Sequence, residues 1–271
     1  LTDAARLLHG LQIEPGEWPA PVALRLRNAP AARAAVQGAL CDLAARSSGL
    51  TLADFLAASG VPFCGAVLRA VPVQALLIER GPEALRVEAE RAAAAGFRAA
   101  KIKLGAASLD EDLARARAAR LGLGPDIRLR GDANGAWNEI TAGEALAAVE
   151  QFDFDFVEQP LPADDVAGLA RLRRRSTVRI AVDESVATEE GALRVIAAEA
   201  AQVFVLKPAM LGGAARALEI ATLVRKAGNE VVFSHAFESA VGAHHALHCA
   251  AAWGDATAQH GLRTVGLFVR D

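Results

Sequence analysis

The sequence predicts an α/β fold, a TIM-type (β/α) barrel preceded by a small helical region, and three observations predict it. The first is a repeat: Lys103, Asp132, Glu158, Asp183, Lys207 and Ser234 succeed one another at intervals of 29, 26, 25, 24 and 27 residues, close to the ~30 residues of one strand, one helix and two short loops. The second is position, since each of these residues ends a short apolar run with strand character. The third is chemistry. Arginine outnumbers lysine by 25 to 4, yet Lys101, Lys103 and Lys207 all sit at such strand ends, where a side chain able to lose and regain a proton has a use that arginine lacks. In a barrel of parallel strands the groups at C-terminal strand ends surround one cavity. An open doubly wound sheet, the competing arrangement, would spread them along an edge.

The elements follow in order. Residues 1–70 depart from the repeat: a Pro- and Gly-broken stretch over 13–21 precedes a long helical pattern over 31–46 and a shorter one over 50–58. A partial helical capping region is therefore expected over 1–70 and the barrel over 71–271. A chain opening at Leu1 without methionine is expected to begin partway into a larger protein. Apolar runs predict strands over 73–78, 99–104, 127–132, 154–158, 179–183, 203–207, 231–234 and 262–268. Amphipathic patterns rich in Ala, Leu, Arg and Glu predict helices over 109–121, 141–150, 164–174, 189–199, 213–227 and 240–252. Two of them have capping-box starts, Ser108 with Glu111 and Thr141 with Glu144.

Composition sets the class of partner. A net charge of −3 gives no electrostatic reason to expect nucleic acid or an anionic membrane. No apolar run approaches the ~18 residues of a membrane span, and no basic segment opens the chain. Cys41, Cys64 and Cys249 are odd in number and lack metal-ligand spacing, so reduced thiols in a cytoplasmic protein are expected. His244 and His248 are i, i+4 neighbours without the glutamate of a zinc helix, and the Gly212-Gly213 pair reads as a turn rather than a phosphate loop.

The carboxylates Asp132, Glu158 and Asp183, from three successive strand ends, suit a hard divalent cation, Mg²⁺ with Mn²⁺ able to substitute. Such an ion polarises a substrate carboxylate and eases removal of the adjacent proton, since the enediolate places its charge on oxygens facing the cation. Two lysines can then serve as base and acid. Lys101 shares the barrel face of Lys103 two residues on, and a neighbouring cation disfavours the ammonium form. Asn134 either contacts a metal-bound group or makes an Asx turn, and Glu184 orients Lys207 or Asp183.

Lys-Ile-Lys at 101–103, Asp-Ala-Asn-Gly-Ala-Trp at 132–137, Val-Glu-Gln-Pro at 157–160, Asp-Glu-Ser at 183–185 and Leu-Lys-Pro at 206–208 resemble the enolase superfamily, in its muconate-lactonizing-enzyme-like group. Ser-His-Ala-Phe-Glu-Ser-Ala-Val-Gly at 234–242 and Gly-Leu-Arg-Thr at 261–264 resemble the o-succinylbenzoate synthases. The resemblance runs from about residue 31 to 268. It implies a barrel in which Asp132, Glu158 and Asp183 hold Mg²⁺ and Lys103 removes the α-proton. Lys207 stands opposite as acid or as a stabilising cation, and Ser234 meets a substrate carboxylate. The implied reaction is the syn dehydration of 2-succinyl-6-hydroxy-2,4-cyclohexadiene-1-carboxylate to 2-succinylbenzoate in menaquinone biosynthesis. Two departures stand out: nothing before Ala31 looks like the family's β-meander cap, and Arg263 replaces an aspartate frequent in these synthases. The alternatives are an N-succinylamino acid racemase or dipeptide epimerase, using Lys103 and Lys207 as opposed partners, and a non-catalytic metal-binding barrel.

Overall fold

A computed structural model describes residues 6, 8, 9, 26, 28–58 and 65–263. In chain order its elements are helices α1 (Pro30–Ser47) and α2 (Leu52–Ala58), then strand β1 (Ala75–Leu76), α3 (Pro82–Ala94), β2 (Ala99–Lys103), α4 (Leu109–Leu123), β3 (Arg128–Asp132), α5 (Glu139–Val149), β4 (Phe154–Glu158), α6 (Val166–Arg175), β5 (Ile180–Val182), α7 (Glu189–Ala197), β6 (Val203–Leu206), α8 (Ala214–Lys226), β7 (Glu230–Phe233) and α9 (Ala240–Trp253).

The seven strands form one sheet in the order β1-β2-β3-β4-β5-β6-β7, and every pairing from β1 through β6 is parallel. Strand order decides between the two α/β arrangements. A doubly wound sheet reverses direction at a switch point, whereas a strictly sequential order repeats the same right-handed crossover. The fold is thus the α/β barrel. The expected strand over 262–268 falls mainly outside the described residues, as do the stretch 13–21 and Cys64. Gly261, just before it, makes a single parallel bridge to Ser234.

Residues group into two compact units. One comprises 73–205 and 227–232 and holds β1 to β5 with most of β6 and β7. Its strand side chains build a buried cluster of Phe156, Ala181, Val203, Val205 and Val232. Helices α3 and α4 pack closely because Gly122 has no Cβ: one there would overlap the Arg86 carbonyl and press on Ala89. The α3 pattern is absent from the expected elements, since its five alanines blur the apolar periodicity. The other unit comprises 1–72, 206–226 and 233–271, with α1, α2, α8 and α9 in mutual contact.

Caps explain most helix starts. Ser108 and Glu111 close the expected capping box on α4. Thr141 and Glu144 do not cap α5; the helix begins earlier, where the Asn138 side chain accepts from the amides of Ile140 and Thr141. Asn is as strong an N-cap as Ser, and it lies nearer the strand it follows.

Candidate active site

Register brings three functional groups abreast. Lys103 is the Cα partner of Asp132, and Asp132 of Glu158, so the last residues of β2, β3 and β4 form one row. Asp183 follows the last residue of β5, two beyond Ala181, the partner of Glu158. Residues two apart share a sheet face, which puts Lys101 beside Lys103 and Phe156 beneath Glu158. Below the row, Arg130 lies over the Phe156 ring at 4.5 Å and is paired with Asp155 at 2.9 Å.

The row is almost dry. Asp132, Glu158 and Asp183 are exposed by only 1%, 2% and 5%. Lys101 Nζ donates to Asp132 Oδ2 and to Glu158 Oε2, each at 3.0 Å. Burial pushes this ammonium down, but the Glu158 and Asp132 carboxylates outweigh it and hold Lys101 above the usual lysine range. Burial opposes ionisation of Asp132 as well, and there the Lys101 and Lys103 charges prevail and lower it. Glu158 goes the other way: burial raises it to about 7 against the pull of Lys101, with the charges of Asp132 and Asp183 adding to the rise.

Lys103 differs from Lys101 in access. Its side chain is 44% exposed against 11% for Lys101, and its Nζ donates to Asp132 Oδ2 and Asn134 Oδ1, both at 2.6 Å. Asn134 Nδ2 in turn donates to Glu184 Oε1 at 3.0 Å, which fixes the amide with its oxygen toward the lysine. Glu184 thus contacts Asn134 directly. The Asx turn at this site belongs to Asp132, whose Oδ1 accepts from the Asn134 amide at 3.1 Å; Asn134 itself adopts the left-handed conformation, φ 45°, which asparagine tolerates better than most residues.

Gln159, a residue sequence reasoning quoted without assigning, holds the next loop. It is fully buried with φ 43°. Its Oε1 accepts from the amides of Asp183 and Ser185 at 3.0 and 3.1 Å. Its Nε2 donates to the Leu161 carbonyl and Ser185 Oγ, both at 2.8 Å. One side chain thereby ties the turn after β4 to the residue that carries the Asp183 carboxylate. The available signal was its place between a strand-end glutamate and a proline, where a buried amide must find its partners in the neighbouring loops.

Among the described residues no three His, Cys, Asp or Glu side chains converge on one metal-ligating point; the Lys101 ammonium lies between two of the three carboxylates. The donor set still fits a hard cation. It consists of buried anionic oxygens at successive strand ends, and one of them, Glu158, is raised partly by its neighbours' charge, a repulsion that a divalent ion relieves.

Residues 84–267 match the family model described as enolase C-terminal domain-like. The chain is 41% identical over 204 residues to the o-succinylbenzoate synthase of Thermobifida fusca, covering 74% of this chain and 62% of that one. It is 38% identical over 241 residues to the o-succinylbenzoate synthase of Mycolicibacterium smegmatis, covering 86% of this chain and 71% of the relative. The chain belongs to the enolase superfamily, in the family of the o-succinylbenzoate synthases. It spans about six to seven tenths of the length of these two relatives. A solved dipeptide epimerase of Enterococcus faecalis, complexed with Mg and the dipeptide L-Leu-L-Tyr, superposes with a TM-score of 0.80 at 30% identity, covering 90% of this chain and 68% of that one.

Two further residues expected at the site of this enolase-superfamily barrel lie in the other compact unit. Lys207 directly follows β6, half-buried, and its carbonyl accepts from the amides of Met210 and Leu211. Ser234 directly follows β7, and its hydroxyl donates to the Gly261 carbonyl at 3.0 Å. That proton is committed to the backbone, leaving only the oxygen's acceptor capacity for other work.

Proposed function

We propose that the chain carries the catalytic barrel, residues 71–271, and part of the cap, residues 1–70, of a cytoplasmic o-succinylbenzoate synthase. This lyase removes water from 2-succinyl-6-hydroxy-2,4-cyclohexadiene-1-carboxylate to give 2-succinylbenzoate for menaquinone synthesis. The observation that carries the reading is the contrast between the two lysines of β2: Lys101 is locked between Asp132 and Glu158, while Lys103 reaches the open side of the same row.

Asp132, Glu158 and Asp183 would hold Mg²⁺, which when bound polarises the substrate carboxylate. Lys103, as the free amine, takes the proton from the carbon bearing that carboxylate. It then returns the proton to the departing hydroxyl, so that the C–H and C–O bonds break on one face and water leaves as the ring becomes aromatic. Asn134, gripped by Glu184, aims the lysine nitrogen. Lys101 remains a fixed cation that keeps Asp132 ionised. Lys207 supplies positive charge to the intermediate, and Ser234 binds a substrate carboxylate only after rotating its hydroxyl away from Gly261.

The test is Mg²⁺-dependent loss of diene absorbance from that substrate, with Lys103→Ala and an EDTA-treated sample as controls. Turnover that vanishes in both is expected; turnover surviving in Lys103→Ala defeats the assignment of the base. A second reading, epimerisation of a dipeptide or N-succinylamino acid, draws support from the likeness to the E. faecalis epimerase. Exchange of the α-proton in deuterium oxide, without dehydration of the diene, would select it.

A further inference from the structure

Where β2 ends, the carbonyl that precedes Leu104 and the amide that follows it are both captured by one helix. Leu104 itself still donates to the Asp132 carbonyl at 2.8 Å. Beyond it the chain turns at Gly105, φ 78°, whose amide donates to Asp112 Oδ2 at 2.6 Å. Before it, the Lys103 carbonyl accepts from Arg115 Nη1 at 2.5 Å. Asp112 and Arg115 stand three residues apart on α4, on one face of that helix, and pair with each other at 3.7 Å with side chains only 3% and 13% exposed. Gly105 is further confined because a Cβ there would come within 2.9 Å of Ala136 and 3.0 Å of the Trp137 ring nitrogen.

The pair is poorly satisfied for its depth. Asp112 Oδ1 and Arg115 Nε are buried without a hydrogen bond, and burial raises the Asp112 carboxyl. An asparagine at 112 would accept from Gly105 equally well and bury no charge. What the charge adds is a hold on the Arg115 guanidinium, which keeps it on the Lys103 carbonyl instead of in solvent. We propose that Asp112 and Arg115 are positioning residues, a clamp that fixes the backbone of Lys103 and so the reach of its side-chain nitrogen. The inference rests on Lys103 being the base. It adds two residues that touch neither substrate nor metal ligand, and a displacement of about 1 Å at a reacting group can cost as much as 10²-fold in rate.

The clamp separates activity from stability. Asp112→Asn should leave the melting temperature nearly unchanged, since removal of an under-bonded buried carboxylate offsets the loss of the partner of Arg115, while kcat falls roughly tenfold with KM within about twofold. Arg115→Met should lower kcat similarly, and Arg115→Lys, which restores charge and a donor, should recover part of it. A primary isotope effect on the α-deuterated substrate should rise in both damaged variants as proton removal becomes limiting. Unchanged kcat, or kcat and melting temperature falling together without rescue by lysine, overturns the proposal. Amide exchange at Gly105 in Asp112→Ala supplies a readout independent of the reaction. If the parent chain fails to dehydrate the diene, the functional reading falls alone; the clamp then stands if Gly105 exchange accelerates at least about tenfold and falls if it does not, a tenfold change corresponding to about 1.4 kcal/mol of lost protection.

Discussion

At the residue scale the site is an arrangement of charges in which one lysine is held between two carboxylates while its neighbour, the proposed base, keeps access to the open side. Lys101 and Lys103 differ by one turn of the pleat, yet the first meets two carboxylates and the second meets one carboxylate and an amide. Arginine at 103 would keep the charge and could still donate to Asp132, but it cannot surrender a proton near neutral pH. Lys103→Arg is therefore expected to retain the fold and its melting temperature within about 2 °C while losing turnover by at least about 10³-fold, as steady-state rates and a thermal melt would show. Gln159 makes the opposite kind of prediction. Gln159→Ala strands the amides of Asp183 and Ser185 and the Leu161 carbonyl in a buried turn, and each stranded group costs about 1–3 kcal/mol. We expect a loss of about 3 kcal/mol by urea unfolding, and roughly half of it for Gln159→Glu, which keeps both acceptor bonds. Near-parental stability in the alanine variant would remove the staple role. The strand-end charges were legible in the sequence because they break apolar runs at a constant spacing. Gln159, Asp112 and Arg115 were harder to read, because the Asp183 and Ser185 amides, the Gly105 amide and the Lys103 carbonyl that they bond lie in other segments of the chain.

At the element scale, the strands were legible to within a few residues wherever both faces are buried, as in β2, β3, β4 and β6. Strand β1 shrinks to two residues against six expected, since its chain has a single hydrogen-bonded neighbour within the described sheet. Helix starts depended on which of several cap-forming residues wins, and at α5 Asn138 overrides Thr141. The Gly212-Gly213 turn, read from sequence as a turn of no stated purpose, has one: Arg33 and Gln37 of α1 occupy the volume that side chains there would need. Gly213 also has φ 131°, outside the range of other residues. Gly213→Ala should thus cost roughly 3 kcal/mol, combining backbone strain with displacement of Gln37. Gly228→Ala is the control, since φ there is 81° and a Cβ meets nothing within 4 Å; backbone strain alone predicts about 1 kcal/mol. Equal losses in the two variants by chemical denaturation would show that α1 does not depend on that glycine.

For the whole molecule, the sequential sheet is what turns Lys103, Asp132, Glu158 and Asp183, scattered in sequence, into one row of strand ends, and it also concentrates their electrostatic cost. Asp132, Glu158 and Asp183 are buried at three successive strand ends with one buried ammonium between the first two. Glu158 is raised to about 7 in consequence, by burial first and by its acidic neighbours after. A native state that carries such repulsion gains from any cation that binds it and not the unfolded chain, by RT ln(1 + [L]/Kd), about 2.7 kcal/mol at a hundredfold excess over Kd. At about 2–4 °C per kcal/mol for a chain of this size, saturating Mg²⁺ should raise the melting midpoint by roughly 5–10 °C, and EDTA should return it to the metal-free value. Asp183→Asn removes one anionic donor and should shrink the shift at a fixed Mg²⁺ concentration. It should also raise the midpoint without metal, because the charge that acts on Glu158 is gone. Opposite signs in the two conditions are the signature of a carboxylate kept for a cation at the expense of the apo fold. A midpoint indifferent to Mg²⁺ in the parent chain would mean that the row is neutralised by its lysines alone, and the proposed metal site would fall with it.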